Sequence, residues 1–199
     1  IQQGYVEGAL TGSEGIWAEN GNDIVSVGIN DAGYSIVSKY YTISLGNGDD
    51  RLDINGKVLR LNSLINIDGG NGFDGLFWNG SYSLTPGKGE LPIDISGYSQ
   101  VANVRNFEEI VYVGPERNIS FTAEQVISIT AGSDFNRANL KLGFTGIGST
   151  LFLDCGLATL NLSGWNKLGY SELKGSRYEV YGNNDSFIAK KIIRSGGKV

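Results

Sequence analysis

The chain has 199 residues and a formal net charge of −5, with 30 Gly, 3 Pro, 1 Cys, and no His or Met. Without His there is no Ser-His-Asp triad, no Cys-His nucleophile and no His-ligated zinc. Basic residues are scattered, densest at Lys190-Lys191 with Arg194, so no nucleic-acid-binding face is expected, and no apolar run reaches the length of a membrane-spanning helix.

Helical periodicity is nearly absent. Short apolar runs bounded by Gly, Asn and Asp dominate, as strands require. In chain order the expected strands are Ile24–Val27, Tyr41–Leu45, Arg51–Ile54, Val58–Leu61, Leu64–Ile67 and Pro92–Ile95. They continue with Ile110–Val113, Asn118–Phe121, Ile127–Thr130, Asn139–Phe144, Thr150–Asp154, Thr159–Leu162, Tyr178–Tyr181 and Phe187–Ile193. Thr122–Val126 is the one expected helical turn, with Thr122 as cap and Gln125 at the capping-box position. Ser83–Gly97, with Pro86 and Pro92, reads as a protruding loop. The lone Cys155, at the end of an apolar run, reads as a buried small residue.

The strongest local pattern is Gly69-Gly70-Asn71-Gly72-Phe73-Asp74-Gly75-Leu76-Phe77. A second copy, Gly46-Asn47-Gly48-Asp49-Asp50-Arg51-Leu52, has Leu45 in place of the first Gly; a third, worn copy is Gly21-Asn22-Asp23-Ile24-Val25. The aligned Asp23, Asp50 and Asp74 are 27 and 24 residues apart, a spacing suited to a recurring solenoid unit. Such a repeat places three carboxylates in a column along one edge of a stack. In that arrangement Asp23, Asp50 and Asp74 would be carboxylate ligands of Ca²⁺. Gly46, Gly48, Gly70 and Gly72 would supply turn geometry and carbonyls, with Asp49 and Asp68 as outer or alternative ligands. The competing reading is plain Asn-Gly and Asp-Gly turns whose Asp side chains accept backbone N–H groups.

The nonapeptide is similar to the calcium-binding β-helix repeat of RTX proteins. The order of motifs extends the resemblance. Ile65–Asp74 is followed by Asn106-Phe107-Glu108-Glu109-Ile110, then by Ile119–Val126, Gly164-Trp165 and Tyr178-Glu179-Val180-Tyr181. This succession resembles the C-terminal parts of large RTX-type surface proteins and biofilm adhesins of Gram-negative bacteria, over roughly residues 19–190. The resemblance implies secretion to the bacterial cell surface, folding on extracellular Ca²⁺, and a place within a longer polypeptide. The chain opens at Ile1 with no secretory signal, so a fragment or processed product is expected. The family's calcium stretches stack many consecutive nonapeptides, whereas this chain has two good copies and one worn one.

The expectation is therefore an all-β fold: a right-handed parallel β-helix or β-solenoid with calcium-type glycine-Asp turns in the N-terminal half. It forms one domain over 1–199, with calcium-turn rungs in 1–80 and metal-free rungs and a terminal cap in 81–199. Val25, Leu52, Leu76, Ile110 and Leu153 are expected to face the axis. The expected function is that of a non-catalytic structural or adhesive module, its partner a surface or matrix glycan or a host surface. An alternative is a carbohydrate-binding or polysaccharide-degrading β-helix of phage-tailspike type, drawing on Glu108, Glu109, Asp94 or Glu124. Trp17, Tyr34, Tyr40, Tyr41, Phe77, Trp78 and Tyr82 are either core packing or a sugar-binding surface. Of these, Trp78 beside Asn79 is the expected ligand-binding pair.

Overall fold

A computed structural model describes residues 15–28, 40–55, 64–79, 102–113, 118–132 and 149–192. Among the described residues the fold is all-β with one short helix. The strands are β1 (Gly15–Trp17), β2 (Ile24–Gly28), β3 (Tyr40–Ser44), β4 (Arg51–Asn55), β5 (Leu64–Asp68) and β6 (Gly75–Asn79). They continue with β7 (Ala102–Arg105), β8 (Glu109–Tyr112) and β9 (Asn118–Ser120), then helix α1 (Ala123–Ile129). After it come β10 (Ser149–Asp154), β11 (Thr159–Asn161), β12 (Asn166–Leu173), β13 (Ser176–Asn183) and β14 (Ser186–Lys191). The expected strands Val58–Leu61, Pro92–Ile95 and Asn139–Phe144, and the loop Ser83–Gly97, lie outside the described residues.

From β1 to β8 successive strands alternate between two sheets, and β9 and β11 pair in a third, two-stranded sheet. Odd strands form the order β1-β3-β5-β7, and even strands run β2-β4-β6-β8 before joining β10, β14, β13 and β12. From β1 to β8 every pairing is parallel. The register follows from the apolar positions. Val25, Leu52, Leu76, Ile110 and Leu153 share one row of the larger sheet and are at most 2% exposed. Ile16, Ile43, Ile67 and Val104 form the matching row of the smaller sheet, and both rows belong to one core. A one-residue slip would turn a whole row outward, so the alternation fixes the pairing.

One local expectation is corrected. Ile127–Thr130 is not a strand, because α1 runs through Ile129 with Thr130 as its C-cap. Its capping box is complete: the Thr122 hydroxyl accepts from Gln125 N–H at 3.2 Å, and Gln125 Oε1 accepts from Thr122 N–H at 2.7 Å. Val126 and Ile129 then fall on one buried helical face. Thr122→Ala is expected to cost about 1 kcal/mol in a urea unfolding series.

Parallel pairing does not extend to the last strands: β12, β13 and β14 form an antiparallel meander. Lys174 and Gly175 have φ 47° and 78°, and Asn184 has φ 52°. Left-handed residues at the loop match the right-handed twist of a tight hairpin and reverse the chain. The meander buries Tyr178, Val180 and Ala189 with Phe73 and Phe152 in a second, smaller core.

Cys155 is buried and free, and burial pushes its thiol up to about 11. Among the described residues no helix is long and apolar enough to cross a membrane.

Candidate metal centre: a column of buried carboxylates

The turns leading from the odd to the even strands stack directly. Asn20, Asn47 and Asn71 are joined by parallel bridges. Their side chains form a ladder, Asn71 Nδ2 donating to Asn47 Oδ1 and Asn47 Nδ2 to Asn20 Oδ1, each at 2.6 Å. Gly21, Gly48 and Gly72 hold equivalent places with φ 128°, 143° and 135°. Few residues except glycine adopt this backbone, and stacking adds a second requirement. A Cβ on Gly72 would land on the Gly48 carbonyl oxygen, and one on Gly70 on that of Gly46.

Two residues after each of these glycines comes the aspartate. Asp23, Asp50 and Asp74 are 7%, 3% and 0% exposed. The carboxylates of Asp50 and Asp74 each accept from the backbone of the rung before: Asp23 N–H donates to Asp50 Oδ1 at 2.8 Å, and Asp50 N–H to Asp74 Oδ1 at 2.9 Å. The column has a fourth member, because Asp74 N–H donates to Glu108 Oε2 at 2.7 Å and Glu108 is 2% exposed. Asn106, with φ 58°, stands two residues before Glu108, at the left-handed place glycine holds in the earlier rungs. The second oxygens, Asp50 Oδ2 and Asp74 Oδ2, are buried without a hydrogen-bond partner.

Burial is expensive for the charged forms. It raises Asp50 to about 6, against the opposing hydrogen bond from Asp23 N–H, with the Asp23 and Asp49 charges adding to the rise. It raises Asp74 to about 8, against the Asp50 N–H, with Glu108, Asp50 and Asp49 adding. A column of this kind requires protons or cations to be stable.

Asp49 and Asp68 have other partners. Asp49 Oδ1 accepts from Phe73 N–H at 3.0 Å, and its Oδ2 pairs at 2.9 Å with Lys174 at the β12–β13 turn. Burial disfavours its charge, but the Lys174 and Phe73 contacts outweigh that and hold its carboxyl below the usual range. Lys174 also lies 4.2 Å from the centre of the Phe73 ring. Asp68 accepts from Arg105 at 2.7 and 2.9 Å and from Asn106 Nδ2 at 2.6 Å. Both are thus withdrawn from the column.

The donors in reach of a metal are carboxylate oxygens and the carbonyls of the glycine turns, a set that suits a hard cation. Among the described residues no three acidic side chains converge on one point. A Ca²⁺ held here would therefore take Asp50 and Asp74 through their unpartnered oxygens and complete its six to eight ligands from carbonyls and water. Trp78 and Asn79 end β6, and Trp78 pairs with Ile54 and Tyr112 in the sheet register. Asp94 lies outside the described residues. Glu109 follows Glu108 on β8 with its carboxyl raised by burial, and Glu124 is exposed in the first turn of α1.

No family model matches the chain, and neither any curated protein nor any solved structure is recognisably similar to it.

Proposed function

We propose that the chain is a non-catalytic structural or adhesive module of a large secreted bacterial surface protein of RTX-like type. In this reading the alternating parallel sheets are rungs of a right-handed β-helix, and Ca²⁺ met outside the cell neutralises the carboxylate column and completes folding. The observation that carries the reading is the column itself, with buried Asp50 and Asp74 each presenting one oxygen that no protein group satisfies. A buried unpaired carboxylate costs several kcal/mol, and an oxygen-seeking divalent cation removes that cost. The tailspike alternative gains nothing from Glu108, whose carboxylate is buried and receives the Asp74 N–H.

Calorimetric titration of the chain with Ca²⁺, with Mg²⁺ as control, tests the proposal. Saturable Ca²⁺ binding at roughly 10⁻⁴–10⁻³ M is expected, the range of extracellular modules. It should be greatly weakened in Asp50→Asn and Asp74→Asn. Equal heats for both metals, or binding unchanged in both variants, would remove calcium from the column.

A further inference from the structure

We infer that the outward face of the sheet β1-β3-β5-β7 binds a neutral, extended saccharide chain, with Trp17 as its stacking platform. The inference rests on the adhesive part of the proposed function and names its partner. Trp17 is 68% exposed, although large apolar side chains are normally withdrawn from water. Its indole lies over Gly15 on the same strand, where any Cβ would run into the ring. One ring face is thus held against the backbone, and the other faces solvent.

The register extends this platform into a polar surface. Trp17 shares its row with Ser44, Asp68 and Arg105, and the next outward row carries Thr42 and Asn66 beside Gly15. Thr42 and Ser44 are half-buried and Asn66 is exposed, so hydroxyl and amide groups line the rows next to the indole. Strands lie about 4.8 Å apart, so the row from Trp17 to Arg105 spans roughly 14 Å, room for a short oligosaccharide.

Charge selects the occupant. Asp68 and Arg105 neutralise each other through two hydrogen bonds, at 2.7 and 2.9 Å. Among the described residues the face therefore offers no free cation for phosphate, sulfate or uronate, which rules against nucleic acid and acidic glycans. Among the side chains described on this face, Trp17 is the one aromatic ring and it stands among hydroxyl and amide groups, unlike the contiguous apolar centre of a protein interface. An extended peptide would seek a sheet edge, where backbone groups are free, and not a face. A flat aromatic surrounded by hydroxyl and amide groups is the complement of a sugar: the apolar ring face stacks and the hydroxyls bond.

The test is native electrophoresis of the chain in gels carrying hydroxyethylcellulose, galactomannan or dextran, with anionic alginate for contrast. Retardation is expected in at least one neutral gel. Trp17→Ala should weaken it at least about tenfold, as loss of a central aromatic anchor does, while Trp17→Phe keeps part of it. Because Trp17 is exposed, the melting temperature of both variants should stay within about 2 °C of the parent. Free migration in all three neutral gels, equal retardation of Trp17→Ala, or retardation by alginate alone would overturn the inference. Asp74→Asn, run alongside, separates the two ideas: Trp17-dependent retardation that survives in it leaves the saccharide face standing even where calcium binding fails.

Discussion

In the presence of chelator, the chain should become less stable as pH rises from about 4 to 8.5. Asp50 and Asp74 have folded values of about 6 and about 8, both above the ordinary carboxylate value of 3.8. The folded state therefore binds protons more tightly than the unfolded chain. The stability this linkage supplies is fully present below the unfolded value near 4 and is lost as pH climbs through 6 and then 8. Raising a carboxyl's titration point by one pH unit is worth about 1.4 kcal/mol at most, and the two groups share one field. The loss should therefore be a few kcal/mol, roughly 5–10 °C in melting temperature. Most acid-sensitive proteins show the opposite slope in this range. Millimolar Ca²⁺ should flatten the curve, because a bound cation favours the ionised forms.

Asp74→Asn sharpens this prediction. The amide keeps an oxygen acceptor for Asp50 N–H but cannot ionise. In chelator at pH 8 the variant should melt above the parent, and Ca²⁺ should no longer raise its melting temperature appreciably. A chelated parent whose stability rises from pH 5 to 8, or a variant less stable than the parent at pH 8, would show that the carboxylate is not strained by burial. Melting curves at four pH values, with and without Ca²⁺, decide the matter.

The second large effect is expected from a single methyl group. Gly21 and Gly72 occupy the same place in different rungs, with φ 128° and 135°. Alanine is strained at either, by about 1–2 kcal/mol. Their neighbours differ: a Cβ on Gly21 meets nothing within 4 Å, whereas one on Gly72 meets the Gly48 carbonyl of the adjacent rung. Gly72→Ala must therefore push two rungs apart, breaking the Asn47–Asn71 side-chain bond and the Gly48-to-Asn71 backbone bond beside it. A loss of roughly 4 kcal/mol or more is expected, at the upper end for a point substitution, against about 1–2 kcal/mol for Gly21→Ala. Equal losses in urea unfolding would mean that the turns do not stack as described.

The column was legible in the sequence because its spacing is rigid. A glycine two residues before an Asp, repeated at 27 and 24 residues, fixes where each carboxylate falls. The buried row Val25–Leu52–Leu76–Ile110–Leu153 was legible for the same reason: each member stands two residues after its rung's acidic residue or at the equivalent strand position. Glu108 was not read as a column member, because 34 residues separate it from Asp74 and both signature residues are replaced. Glu stands for Asp, and Asn106 stands for Gly, though Asn is the side chain that best tolerates a left-handed backbone. The two hairpins were hidden because neither Lys174-Gly175 nor Asn184-Asp185 is the usual Asn-Gly signal. Ile127–Thr130 misled because Ile127 and Ile129 alternate as in a strand, while the capping box upstream already committed the segment to a helix. Trp17 was named only as one of seven aromatic residues that either pack in the core or line a sugar-binding surface, with Trp78 preferred; its exposure depends on Gly15 and on a register that no local pattern contains.

The rung spacing has a consequence for reach. Each turn of the repeat takes 24 to 27 residues yet advances the stack by one strand separation, about 4.8 Å. The same residues in an α-helix would cover about 36 Å or more, and in an extended linker still more. Such a stack is a poor tether. What it gains is cross-section: two sheets, a filled interior and a hydrogen-bonded ladder of amides resist bending at every level. Length is obtained more economically from other kinds of segment; what 24 to 27 residues per level supply here is thickness.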